Sequence, residues 1–414
     1  MIQLKIIVAP GSYKGTFSAE ESAQTILNAL PKNHNITIFP MADGGQGTKE
    51  LLVNKTSGKN ISVENIRNPI GKEIISSYGV LGDNKTAVIE MASASGATLL
   101  KDQEKDPRQT STYGTGQLIK HAIDSGYTNL LLCLGGSATV DGGIGMAQAL
   151  GIKFLDANKK ELEICTGETL NQIKEIDDSN LNLPKNLKVT IAADGGDTLD
   201  YVKTFTPQKI GKHLHQDTKE IVDSLEQGLI NFANILNKKY SSKIDSLYKT
   251  EDIGKIKGVS TAGGLGLGII AFLSGRINQG FDVIGNILGI KEVLKGADLI
   301  ITGEGRLARD SLTGKTPIGI SRLAKTHNIP TILIAGEIGE DYHGDFEKGI
   351  STKLDPEIEN AGIKTVLNSS HHLPKEVKTI ESEDERIKAL KQYSNQAITK
   401  IIQDYFQNHQ INQG

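Results

Sequence analysis

The sequence predicts an α/β protein of two domains with largely parallel sheets. Three observations carry this. At 414 residues the chain exceeds the roughly 250–300 residues at which one core stops growing. Apolar runs of strand length alternate with helical patterns, as in parallel α/β sheets. Three apolar runs give way to Asp-Gly-Gly, at Asp43-Gly44-Gly45, Asp141-Gly142-Gly143 and Asp194-Gly195-Gly196, and a fourth, Leu299-Ile300-Ile301, leads to Glu304-Gly305. Ligands of open α/β sheets bind beyond the carboxyl ends of the strands. Glycine there offers bare N–H groups, and a carboxylate can hold Mg²⁺ or take a proton from a hydroxyl. The set points to one anionic, metal-assisted site assembled from distant parts of the chain.

The elements follow in order. Leu4 to Ala9 reads as a buried strand, followed by the loop Pro10-Gly11-Ser12-Tyr13-Lys14-Gly15. Ser18 and Glu21 have capping-box spacing and open a helix to about Leu30. Further strands are expected at Ile36–Phe39, Thr86–Met91, Leu130–Leu134, Val189–Ala192, Leu299–Thr302 and Thr331–Ala335, with helices at Gly116–Ser125 and Gly145–Leu150 among those between. The region 155–255 is more polar and less regular, and 338–360 reads as an exposed loop. Ile387, Leu390, Ala397, Ile398, Ile401 and Tyr405 have helical spacing, so the sequence closes on an amphipathic helix.

Composition narrows the function. Hydrophobic content is 37% and charged content 23%, with 46 basic against 49 acidic residues and a net charge of −3. That balance favours neither nucleic acid nor an anionic membrane as partner. No apolar run nears the ~20 residues of a membrane span, and no signal-peptide pattern opens the sequence, so a cytoplasmic enzyme is expected. The 45 glycines exceed the average of about 7% and cluster at strand ends. Cys133 lies in an apolar run and reads as a buried small hydrophobe, and neither the two cysteines nor the nine histidines have metal spacing.

Several loops could carry chemistry. Lys14 lies between Gly11 and Gly15 ahead of a helix, where a phosphate could dock, although a solvated loop lysine reads the same way. Gly135 to Gly143 is the densest candidate, with four glycines and two small hydroxyls after a buried strand: a backbone nest for phosphate. Thr110 to Gly116 is hydroxyl-rich, and taken alone it reads as a helix cap. Ala262-Gly263-Gly264-Leu265-Gly266 is either a close-packing turn or a nucleotide contact. Gly314-Lys315-Thr316 ends like a P-loop, but Arg309 stands where that motif requires glycine.

Together these stretches resemble the type I glycerate kinases over nearly the whole chain. The resemblance rests on their order: Ala9 to Gly15, Pro40 to Thr48, Ile89-Glu90-Met91-Ala92, Ser111 to Gly116, Gly135 to Thr139, Pro207-Gln208-Lys209, Ala262 to Gly266, Ile301 to Arg306 and Gly314 to Pro317. It implies two α/β domains with the active site in the cleft between them, one domain being Rossmann-like, mostly parallel and discontinuous in sequence. The expected boundaries are 1–85 with 280–414 for that domain and 86–279 for the second. It further implies ATP-dependent, Mg²⁺-assisted phosphorylation of D-glycerate to 2-phosphoglycerate, with a small-molecule substrate and a monomer or homodimer as the working form.

The implied catalytic residues are Asp194 as base, Lys14 and Glu304. Substrate would meet Ser12, Asp43, Gly44, Gly45, Thr112, Lys209 and Arg306. Nucleotide phosphates would meet Gly135, Gly136, Ser137, Thr139, Asp141, Gly263, Gly264 and Lys315. Asp43, Asp194 and Glu304 are the candidate metal ligands. The chain departs from the family pattern at Gly11 (Asp), Gln46 (Glu), Val140 (Asn), Gly195 (in place of Val after Asp194), Ile210 (Gly), Ala308 (Asp) and Asp310 (Gln). Those at Gly11, Gln46, Val140 and Ala308 remove a polar or charged group, so the alternatives are another small hydroxy acid as acceptor or a non-catalytic nucleotide-binding protein.

Overall fold

The computed structural model describes residues 3–13, 15–193, 198–199, 206–340, 342, 344–380 and 382–408. The chain forms two compact units, Met1–Asp43 with Phe281–Gly414, and Gly44–Gly280.

The first unit holds a seven-stranded sheet, in the order Asp345–Glu347, Ile350–Lys353, Ile363–Asn368, Thr331–Ile338, Leu299–Leu307, Lys5–Val8, Asn35–Ile38. The last five strands run parallel, and the first two add an antiparallel edge. Both faces are covered, as a parallel sheet requires. Ile6, Val8, Ile301 and Ile334 pack with Ala23 and Ile26 of the helix Ala19–Ala29 and with Ile398 and Ile401 of the closing helix Glu383–Asn408. Leu333, Ala335 and Val366 face the other way, against Ile318 and Ile358. The capping box is formed: the Glu21 amide donates to Ser18 Oγ at 3.1 Å, and the Ser18 amide to Glu21 Oε2 at 2.7 Å.

The second unit holds a six-stranded sheet, in the order Arg276–Gln279, Lys188–Ala193, Asn129–Cys133, Thr86–Glu90, Glu73–Val80, Lys59–Arg67. The first four are parallel and the last two antiparallel. Its core is one aliphatic cluster with Phe154, Phe232 and Phe272 at its centre. Cys133 and Cys165 are buried and unbridged.

Four expectations need correction. Residues 44–85 belong to the second unit, because the hairpin formed by Lys59–Arg67 and Glu73–Val80 hydrogen-bonds onto Thr86–Glu90. A register shift between Val63 and Ile66 breaks the apolar alternation that would have revealed the first of those strands. The region 155–255 contains a 31-residue helical segment, Thr218–Tyr248, kinked at Tyr240, whose Ile221, Leu225, Leu229, Phe232 and Leu236 are buried. The region 338–360 contains two short edge strands and the helix Pro356–Asn360. The segment around Thr112 does not cap its helix with the Thr112 side chain, which bonds elsewhere.

Candidate active site

In the first unit, the candidate residues collect beyond the end of Lys5–Val8, whose Val8 pairs with Ile301 partway along the longer strand Leu299–Leu307. The Gly11 amide donates to the Gly303 carbonyl at 2.9 Å, and Thr302 Oγ1 to the Ala9 carbonyl at 2.8 Å. Tyr13, fully buried, anchors the first loop by donating its hydroxyl to the Ile334 carbonyl at 2.8 Å. Asp43 Oδ2 accepts from the Thr316 amide at 3.1 Å and from Thr316 Oγ1 at 3.3 Å, at the start of the helix Thr316–Lys325. A carboxylate there is stabilised by the helix dipole. A Cβ on Gly11 would lie 3.3 Å from Thr316 Cβ, so Gly11 packs tightly against the same threonine.

Glu304 is buried, and its Oε1 has no hydrogen-bond partner among the described residues. Burial pushes its carboxyl up to about 8, opposed by Lys315 and Ser311 and reinforced by Asp310 and Asp43. Those side chains therefore share one electrostatic neighbourhood. Lys315 Nζ donates to Asp310 Oδ2 at 2.6 Å, so the acid at 310 pairs with the phosphate-binding candidate. Ser12 and Arg306 are exposed. Ala308, where the family pattern has Asp, is buried, and its amide donates to Ser311 Oγ at 3.2 Å.

In the second unit, the carboxyl ends of the parallel strands carry the glycine loop. The Gly135 amide donates to the Gly44 carbonyl at 3.1 Å, and the Ala138 amide to the Ser95 carbonyl at 2.9 Å. Those two N–H groups are thus taken internally. Lys209 Nζ donates to Ser137 Oγ and to the Thr139 carbonyl, both at 2.8 Å. Thr139 Oγ1 is buried without a partner among the described residues. The result is an ammonium group bonded into a glycine loop with Gly136 at φ +83°.

Asp141 has a different role from the phosphate contact expected of it. Its carboxylate is fully buried and accepts from the Thr112 amide, Thr112 Oγ1, the Gly143 amide and the Gly145 amide. It organises the loop from inside. Thr112 Oγ1 in turn accepts from the Met146 amide at 2.9 Å, which ties two helix starts together. Gly263 and Gly264 have positive φ, and a Cβ on Gly263 would strike the Thr139 carbonyl oxygen. Close backbone packing explains that glycine pair. Val140 and Ile210, two departures from the family pattern, are buried in the unit's core.

The first Asp-Gly-Gly triplet is divided between the units: Asp43 ends one segment of the first, and Gly44 and Gly45 open the second. Asp43, Glu304, Arg306, Lys315 and Ser12 belong to the first unit. Gly44, Gly45, Thr112, Lys209, the glycine loop, Gly263 and Gly264 belong to the second. Lys14 and Asp194 lie outside the described residues. The sequence reading gave no role to Glu90, buried at the end of its strand, although a charge closing an apolar run was the available signal. Among the described residues, no group of three His, Cys, Asp or Glu side chains could hold a metal.

A mostly parallel α/β architecture, acids at strand ends and a glycine loop holding a lysine define an enzyme of the group-transfer class. The glycerate kinase family model matches residues 6–379. The chain is 37% identical over 354 residues to the glycerate kinase of Halalkalibacterium halodurans, covering 83% of this chain and 88% of that one. It is 36% identical over 356 residues to the glycerate 2-kinase of Escherichia coli K12, covering 84% and 89%. A crystal structure assigned as glycerate kinase 2 of Salmonella typhimurium LT2 aligns with a TM-score of 0.71 at 30% identity, over 99% of this chain and 100% of that one. The chain therefore belongs to the glycerate kinase family, and it is a kinase. Among the described residues, no helix is long and apolar enough to cross a membrane.

Proposed function

We propose that the protein transfers the terminal phosphoryl group of ATP to the 2-hydroxyl of D-glycerate. The observation that carries the reading is the Gly135–Thr139 loop, with Lys209 bonded into it at 2.8 Å and the Thr139 hydroxyl left unpartnered. An ammonium, a small hydroxyl and glycine backbone suit phosphate oxygens. The 36% identity to a glycerate 2-kinase supports the choice of hydroxyl. The kinase reading is favoured over a non-catalytic one because the relatives named glycerate kinase span most of the chain.

Phosphoryl transfer asks the protein for position and charge more than for covalent chemistry. Lys209 and Lys315 neutralise phosphate or carboxylate oxygens. Thr139 donates its hydroxyl; Gly44 and Gly45 of the second unit and Ser12 and Arg306 of the first are the candidate substrate contacts, whereas Thr112, buried with its amide and hydroxyl on Asp141, holds its loop from inside. Asp194 takes the proton of the attacking hydroxyl, and Lys14 balances the charge that develops. Glu304 fits a cation: its unpartnered, buried Oε1 needs either a proton or a positive group. Bound Mg²⁺ would neutralise phosphate charge; Glu304 and Asp43 are the acids of the first unit available to hold it, and Asp194 is the candidate in the second. One or two protein carboxylates are enough, since Mg²⁺ commonly completes its shell with water and phosphate. The reaction takes place in the cytoplasm.

The deciding experiment is ADP release with ATP, Mg²⁺ and D-glycerate, with the product identified by mass and NMR. Glycerate-dependent turnover to 2-phosphoglycerate is expected. A 3-phosphoglycerate product overturns the choice of hydroxyl, and ADP release no faster than that of an Asp194→Ala variant overturns the activity.

A further inference from the structure

Glu90 ends the strand Thr86–Glu90, inside the second unit's sheet, and is 4% exposed. Its Oε1 accepts from the Lys49 amide at 2.8 Å, and its carboxylate also meets the Gly47 amide. Those amides lie at the start of the helix Thr48–Lys55. That helix has no capping side chain of its own: its N-cap is Gly47, at φ +95°. Helix-start amides, which have no intrahelical partner, demand an acceptor, and for buried Lys49 it comes from a strand 41 residues away.

The loop so held is Gly44–Gly47. The Gly44 carbonyl accepts from Gly135 at 3.1 Å, at the head of the glycine loop. A Cβ on Gly44 would lie 2.5 Å from the Ala192 carbonyl oxygen, two residues before Asp194. Glu90 thus fixes a glycine segment that touches both the glycine loop and the end of the strand Lys188–Ala193.

We propose that Glu90 is a positioning residue for phosphoryl transfer, its buried carboxylate capping the helix Thr48–Lys55 and so holding Gly44–Gly47 in register with the glycine loop. The inference rests on the kinase reading for its kinetic consequence, but not for the anchor itself. Lys49 Nζ does not bond to this carboxylate: it donates to Ser77 Oγ at 2.8 Å and pairs with Glu50 at 3.0 Å. Burial pushes the Glu90 carboxyl up to about 7; the Lys49 amide opposes this first, Glu50 reinforces it, and the Lys49 ammonium and Gly47 amide oppose it further. The anchor therefore weakens as pH falls through neutrality, because protonation removes one acceptor.

The test pairs kinetics with amide hydrogen exchange on the full chain, using Glu90→Ala and Glu90→Gln. In Glu90→Ala, exchange at the amides of Gly47 and Lys49 is expected to speed up while that of the strand Asn129–Cys133 stays slow. The kcat of this variant is expected to fall about tenfold or more, with KM for glycerate changing much less, because misplacement of a loop acts on the transition state. Glu90→Gln, which keeps one acceptor oxygen, should lie between; kcat of the unaltered protein is expected to fall on the acid side of about pH 7, and this variant should lack that limb. Unchanged exchange at Gly47 and Lys49 in a folded Glu90→Ala overturns the anchor, and unchanged kcat overturns its role in transfer. If Glu90→Ala does not fold, an acid limb in Glu90→Gln identical to that of the unaltered protein overturns the proposal. If the unaltered protein shows no glycerate-dependent turnover, the kinase reading has failed, and the exchange result alone decides the anchor.

Discussion

Thr112 places both its amide and its hydroxyl on one oxygen of Asp141, at 2.7 and 2.8 Å, across 29 residues of chain. With the Gly143 and Gly145 amides, this gives one buried carboxylate four donors and no counter-ion among them. The bonds favour the charged form and burial opposes it; burial is the larger effect and raises the Asp141 carboxyl. Such a group is costly to disturb, because each donor left behind is buried.

Asp141→Ala is accordingly expected to destabilise the second unit by about 3 kcal/mol or more. Urea denaturation measures it. A loss below about 1 kcal/mol would show that the four bonds do not hold the loop.

Two glycines of one loop should respond differently to a methyl group. Gly44 has φ +93° with the Ala192 carbonyl in the way, whereas Gly47 has φ +95° and nothing within 4 Å. Gly47→Ala should cost only the left-handed strain, about 1–2 kcal/mol. Gly44→Ala must also move backbone at the end of the strand Lys188–Ala193, so a larger stability loss and about a hundredfold fall in kcat are expected. Parallel denaturation and turnover assays check the contrast, and equal effects would refute it.

Glu304 should make stability depend on pH in a specific direction. Its folded carboxyl is raised from 4.5 to about 8, so between those values the folded state holds a proton that the unfolded state has lost. The favourable contribution is complete below about pH 4.5 and disappears as pH rises to about 8. Glu304→Gln carries no such charge. Relative to the unaltered protein it should gain stability between pH 5 and 9, on the order of a few kcal/mol, while losing turnover. Urea midpoints at the two pH values test this; a difference that does not vary with pH would refute it.

Asp310→Gln restores the residue of the family pattern and removes the partner at 2.6 Å from Lys315. The pair is partly exposed, so stability should change by less than about 1 kcal/mol. Lys315 then loses its ion pair with Asp310, a competitor for an anionic ligand, and KM for ATP or glycerate should fall several-fold. Steady-state kinetics at two salt concentrations would show the effect weakening as salt rises.

Much of this was legible in the sequence. The strands at Lys5–Val8, Thr86–Glu90 and Asn129–Cys133, and the Leu299–Thr302 start of Leu299–Leu307, read from apolar runs, because strands buried on both faces need no alternation; the Gly303-Glu304-Gly305-Arg306 continuation of the last gave no such signal. The capping box at Ser18 and Glu21 is a local pattern and formed as read. The hairpin at Lys59–Val80 was not legible, because its edge strand Lys59–Arg67 has a register shift and only two buried residues, Val63 and Ile66.

The sequence by itself determined the fold class, the family and the residue types at the strand ends. These follow from periodicity and from motifs written in adjacent residues. Only the tertiary structure decided what those residues do for each other: that Asp141 faces inward on four donors, that Glu90 caps a helix 41 residues away, and that Lys209 bonds into the glycine loop. Hydrogen bonds and burial join residues far apart in the chain, and their direction depends on backbone placement, which no local pattern specifies.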